Sequence, residues 1–172
     1  MNRRCRVGVY TSGDGGRTWT RAPGDVGQWH LPADATASYV VSPTGRRSTP
    51  CLPLALSSID PSTARVLCDD GGILGTQDAG GTWFTLGALP DAVDIEYSDP
   101  ATGVALASVP KCRAAVMRTS DGGASWDRLA CLAGRHPRAI GGRDGLLAAQ
   151  VGSHLYVSRS SGNRWRDLHW DE

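Results

Sequence analysis

One octet pattern, [ST]-x-D-x-G-x-[ST]-W, constrains what this chain can fold into more than any other feature. Its first copy carries Ser12, Asp14, Gly16, Thr18 and Trp19. The second carries Thr76, Asp78, Gly80, Thr82 and Trp83, and the third Thr119, Asp121, Gly123, Ser125 and Trp126. A worn fourth copy over residues 158–165 keeps Ser158, Gly162 and Trp165. It has Ser160 and Arg164 where the acid and the second hydroxyl belong. The tryptophans stand 64, 43 and 39 residues apart, so each copy marks one unit of a structural repeat.

The residues around each copy read as short strands. Val93–Ser98 and Gly103–Val109 flank the turn Asp99-Pro100-Ala101-Thr102, and Asp60-Pro61-Ser62-Thr63 is a matching turn one repeat earlier. Ala114–Arg118 leads into the third octet, and Trp126–Leu129 leads out of it. Four short antiparallel strands per unit, at a period near 40 residues, describe a β-propeller blade. The expected fold is therefore all-β, a propeller or an open propeller segment of about three and a half to four blades over 1–172. A loop insertion is expected at about 42–50, where Pro, Gly, Ser, Thr and Arg concentrate. The 22 glycines and 10 prolines suit short strands and tight turns and argue against a helical bundle.

The octet has a turn chemistry of its own. The carboxylates of Asp14, Asp78 and Asp121 can accept backbone N–H groups and close an Asx-type turn. Gly16, Gly80 and Gly123 supply positive φ, and the hydroxyls of Thr18, Thr82 and Ser125 can bond back across the loop. The tryptophan then opens the outgoing strand and is expected to bury its ring under the turn, a contribution on the order of 3 kcal/mol.

These octets resemble the Asp-box, or BNR repeat. It recurs in sialidases, in sortilin-type receptor domains, in xyloglucan-degrading enzymes and in photosystem assembly factors of the Ycf48 class. The resemblance runs from Ser12 to Trp165 and is specific for propeller blades rather than for an activity. It implies that the box joins the third and fourth strands of a blade and faces away from the binding or catalytic surface. The box residues are thus expected to be structural.

Catalytic and metal constellations are weak. No octet carries the alternating acids of a calcium-binding loop. The four histidines His30, His136, His154 and His169 show no metal-ligand spacing. Sialidase chemistry would need a tyrosine with a carboxylate partner. Glu96 and Tyr97 are adjacent, and on a strand they point to opposite faces. The Arg-Ile-Pro segment of that family is absent. Asp94 and Glu96 share one face of an expected innermost strand, either as a solvated face or as an acid/base pair on the channel. No catalytic residue, cofactor or metal ligand is assigned.

The formal net charge of +1 gives no electrostatic case for nucleic acid, and no apolar run is long enough to span a membrane. No apolar h-region of a signal peptide follows the basic Met1–Arg6. Five cysteines contain no CxxC pair. Placed on the blades, Cys51 opens a first strand and Cys68 closes a second, while Cys112 opens a third and Cys131 follows a fourth. Each pair falls at one end of neighbouring strands, which allows bridges Cys51–Cys68 and Cys112–Cys131; the alternative is five idle thiols. Cys5 lacks a partner. Bridges would place the chain in a secreted or cell-envelope setting, with a signal peptide upstream of Met1. The role expected is a non-catalytic binding or assembly module. A protein or carbohydrate ligand would lie on the loops opposite the boxes. The alternatives are a fragment of a sialidase-like or other glycoside hydrolase propeller and a purely structural blade array. An open arc with apolar flanks is expected to self-associate.

Overall fold

The computed structural model describes residues 10–12, 14, 16–21, 28–143 and 145–168. Within them the chain is all-β, with antiparallel strands and no helix. Cys5 and His169 lie outside the described residues.

Three four-stranded sheets follow one another in sequence order. Blade 1 is β5 (Pro53–Ser58), β6 (Ala64–Cys68), β7 (Gly72–Thr76) and β8 (Phe84–Ala88). Blade 2 is β9 (Ala92–Tyr97), β10 (Gly103–Val109), β11 (Cys112–Thr119) and β12 (Asp127–Cys131). Blade 3 is β13 (Pro137–Arg143), β14 (Leu146–Val151), β15 (His154–Ser158) and β16 (Arg166–Leu168). Each is a simple meander, and its octet joins the third strand to the fourth. Upstream, β1 (Tyr10–Thr11) and β2 (Thr20–Arg21) pair around the first octet. A hairpin of β3 (Tyr39–Ser42) and β4 (Gly45–Ser48) packs on blade 1.

That hairpin corrects the reading of 42–50 as a loop insertion. Gly45–Ser48 is a strand whose residues alternate between half-buried and exposed. Its polar composition belongs to an outer surface, where the Arg46 guanidinium lies 5.0 Å from the Tyr39 ring centroid.

Blades bury their faces against one another, and the period-two alternation of strands decides which side chain goes where. On β10, Ala105 and Ala107 face blade 1, with Leu67, Ile73, Ile95 and Tyr97. Val104 and Leu106 face blade 3, with Ile140, Ala149, Val151 and Tyr156. Polar groups tie the innermost strands together at their free edges. The Ser57 hydroxyl accepts the Tyr97 N–H at 2.8 Å, and the Asp94 carboxylate accepts the Ile140 N–H at 2.8 Å. Each bond satisfies an edge amide that its own sheet leaves open. Arg65, 2% exposed, spans blades 1 and 2. Its Nη2 donates to the Pro100 carbonyl at 3.0 Å, and its guanidinium carbon lies 5.7 Å from the Tyr97 ring centroid.

The octets build one repeated hydrogen-bond cage. In the second copy the Thr76 hydroxyl donates to Asp78 at 2.8 Å and accepts the Gly80 N–H at 3.0 Å. Asp78 also accepts the Thr82 N–H and the Thr82 hydroxyl, both at 2.8 Å. The first and third copies repeat these bonds through Ser12, Asp14, Gly16 and Thr18 and through Thr119, Asp121, Gly123 and Ser125. The fourth keeps three of them, one as a 3.3 Å contact between the Ser158 and Ser160 hydroxyls. Ser158 accepts the Gly162 N–H at 2.9 Å, and Ser160 stands in for the acid by accepting the Arg164 N–H at 2.9 Å. The aspartate therefore reaches the amide four residues on, further than an ordinary Asx turn.

Each of the last three octets also seals the boundary with the unit before it. Trp83 meets Trp29 edge-to-face at 6.4 Å, Trp126 meets Tyr97 at 6.3 Å, and Trp165 joins the core between blades 2 and 3. These three rings are half-buried. Trp19 is 62% exposed, contrary to the expectation of a buried ring, because its turn faces no described blade. Gly123 has φ +105°, and a Cβ there would sit 2.7 Å from the Tyr97 hydroxyl, so both backbone and space require glycine.

The structure contains both expected disulfides, Cys51–Cys68 and Cys112–Cys131, with Cα–Cα distances of 5.7 and 5.8 Å.

Two predictions follow from this architecture. Hydrogen bonds, chiefly from the second hydroxyl and its backbone N–H, hold the carboxyls of Asp14, Asp78 and Asp121 at about 2, below the ordinary 3.8. Protons therefore bind the unfolded chain first, so stability is full above about pH 4 and falls as pH drops from about 4 toward 2. Asp94 and Glu96, raised by burial, act in the opposite sense. Asp78→Asn should lower the melting temperature at pH 7 and flatten the acid limb; an unchanged acid limb refutes the assignment. For the Cys112–Cys131 bridge, whose ends lie 19 residues apart, the paired Cys112→Ala/Cys131→Ala variant should lose about 3 kcal/mol in urea melts of the oxidised protein. Recovery of free thiols from untreated oxidised protein would contradict it.

Candidate binding face

The octet residues singled out from sequence are committed to their own backbones. Their carboxylates and hydroxyls close turns at one end of the blades. Among the described residues no group of three or more His, Cys, Asp or Glu could hold a metal ion. His30 contacts the Gln28 carbonyl at 3.3 Å, and His154 pairs with Asp167 at 2.9 Å while stacking on Tyr156.

Asp94 and Glu96 share a face of β9, as expected, but that face is not the solvated one. Both are half-buried toward blade 3. Burial pushes the Asp94 carboxyl up, and the N–H groups of Ile140 and Ile95 partly offset this. Glu96 is raised by burial first and by the Asp94 charge second, with the Ser57 hydroxyl pulling it back. Asp94 thus ties two blades together. Tyr97 points the other way, into the core between blades 1 and 2, so it cannot meet Glu96 as a catalytic partner.

The opposite end of the blades carries a different chemistry. An open cleft of about 770 Å³ lies where the innermost strands β9 and β13 begin. Blade 1 contributes Asp69 and Asp70 from the turn between β6 and β7. The link into β9 contributes Asp91, and the link into β13 contributes His136, followed by Arg138. All five are exposed. Asp70 accepts the Gly72 N–H at 2.8 Å. The side chains of Asp69, Asp91, His136 and Arg138 make no hydrogen bond or ion pair with a described residue. Asp91 and His136 hold left-handed backbones, φ 56° and 65°, at the two links. Such conformations in residues other than glycine persist where surrounding structure enforces them. Cys68 immediately precedes Asp69, and Cys131 closes β12 at the start of the link carrying His136.

Sequence reasoning placed a ligand on this end without naming these residues. They come from three separate segments, and none belongs to a motif. The only signal each carried was an acid, a histidine or an arginine beside a strand end.

No protein-family model matches the chain, and no curated protein does. Solved structures do. YCF48 bound to D1 peptide aligns with 22% identity and a TM-score of 0.53, over 81% of this chain and 43% of that one. YCF48 from Cyanidioschyzon merolae aligns with 19% identity and a TM-score of 0.53, over 81% and 40%. A chain of a nidogen/laminin complex aligns with 14% identity and a TM-score of 0.63, over 78% and 59%. The chain thus spans less than two thirds of each of these proteins. At such identities the likeness is one of fold, and the fold shared is the β-propeller.

Proposed function

We propose that this chain is a non-catalytic binding or assembly module of the BNR/Asp-box propeller class, acting outside the cytoplasm. Its cleft opposite the octets would hold a segment of a protein partner. The observation that carries this reading is the cleft itself. A turn of blade 1, the links into β9 and β13 and the start of β13 place Asp69, Asp91, His136 and Arg138 there with no partner among the described residues, on a frame that carries two disulfides. Charged groups left free on a rigid scaffold are available to a ligand. The disulfides also support the extracytoplasmic setting. Two of the proteins that share the fold are described with a peptide or a protein bound, YCF48 with D1 peptide and nidogen with laminin, and that agrees with an extended peptide-like ligand.

Selection from a phage-displayed library of random dodecapeptides tests the proposal. Peptides enriched on the native protein should bind the Asp69→Lys/Asp91→Asn variant about tenfold or more weakly, since it removes the acidic wall without touching a core residue. Equal binding to the variant would overturn the placement. Turnover of a fluorogenic sialoside or of a xyloglucan oligosaccharide by the pure protein would instead favour the glycoside hydrolase alternative.

A further inference from the structure

A second cleft lies between blades 2 and 3, on the octet side, and an internal comparison shows what it lacks. Register fixes equivalent positions. The first octet residue pairs with Ala64 in blade 1, with Gly103 in blade 2 and with Leu147 in blade 3. The next residue along each second strand is Arg65, Val104 and Ala148. Opposite those pairing positions, on the innermost strands, stand Ser58, Tyr97 and Gly142. Between blades 1 and 2, Arg65 crosses the boundary, lies against Tyr97 and donates to the Pro100 carbonyl. Between blades 2 and 3 both large side chains are missing, because Val104 takes the arginine's place and Gly142 the tyrosine's. What remains is a cleft of about 190 Å³, lined by Glu96, Val104, Arg118, Gly142, Arg143 and Ser161.

The cleft has a floor and a rim of opposite sign. Glu96 is half-buried within it; the Ser57 hydroxyl of blade 1 bonds its carboxylate, and no described residue of blade 3 does. Arg118 and Arg143, one from each blade, are exposed at its edge. An apolar-walled slot with a carboxylate inside matches a long basic side chain, whose methylenes pack while its charge pairs. The rim arginines match acids on either side of it.

We propose that this cleft binds one arginine or lysine side chain of a peptide partner, flanked by acidic residues, and so receives in trans the kind of group that Arg65 supplies in cis one blade earlier. It is a different site from the cleft opposite the octets and stands on different residues.

The acetylated and amidated pentapeptide Ala-Asp-Arg-Asp-Ala is the probe, with norleucine replacing arginine as the control. In amide chemical-shift titrations the arginine peptide should move Gly103, Val104, Gly145 and Ser161, and the control should not. Glu96→Gln keeps the shape and should weaken binding about tenfold. Val104→Arg should fill the slot from within, abolish binding and raise the melting temperature. Glu96→Gln carries the test independently of Val104→Arg. Equal shifts with both peptides, or binding unaffected by Glu96→Gln, would overturn the proposal. Shifts confined to Asp69, Asp91 and His136 would overturn it too, while leaving the other binding face standing.

Discussion

A four-stranded blade with apolar side chains on both faces is unstable until each face is covered, and this requirement organises the molecule. Blade 2 meets it fully, with β10 sending Ala105 and Ala107 to one side and Val104 and Leu106 to the other. Blade 1 meets it through blade 2 and through the β3–β4 hairpin with Trp29 and Leu31. Blade-on-blade burial is non-directional, so the directional groups fix the register. Ser57 and Asp94 supply this by capturing edge amides of the next innermost strand.

The octet does two jobs in one turn. Its polar half is a self-contained cage in which a carboxylate and two hydroxyls satisfy backbone amides. Its apolar half, the tryptophan, lies against the preceding unit. The glycine joins these jobs, since its left-handed backbone lets the cage close and its missing Cβ lets the neighbouring unit approach. The worn fourth copy shows the hierarchy. Ser160 replaces the acid and still caps an amide, whereas the glycine and the ring are kept. Substitution of an octet acid therefore weakens a turn, whereas loss of the glycine would disturb a boundary between blades.

The two ends of the blades differ in what holds their turns. Within the octets, the carboxylates and hydroxyls are consumed by the cages. At the other end, the turns are held by disulfides and by strained links at Asp91 and His136, which leaves acids, a histidine and an arginine facing outward. The cleft beside Glu96 arises in a third way, from unequal side chains at equivalent positions. Repetition of the backbone makes such inequality visible, because blade 1 displays the filled form of what blades 2 and 3 leave open.

The amino-acid sequence by itself determined the all-β repeat, the octet turns and the pairing of four cysteines. Those features rest on local chemistry: an Asp, a Gly and two hydroxyls within seven residues, or two cysteines at matching strand ends. It misplaced Gly45–Ser48, because an outer strand with alternating arginines has the composition of a loop. It also treated the rings of Trp19 and Trp83 alike, although burial depends on whether a neighbouring unit lies across the turn. Only the tertiary structure decided that Asp94 links two blades, that Asp69, Asp91 and His136 share a cleft, and that Val104 and Gly142 leave a slot beside Glu96. Each of these depends on which blade faces which, and segments roughly 20 to 70 residues apart meet only once blade faces are buried against one another.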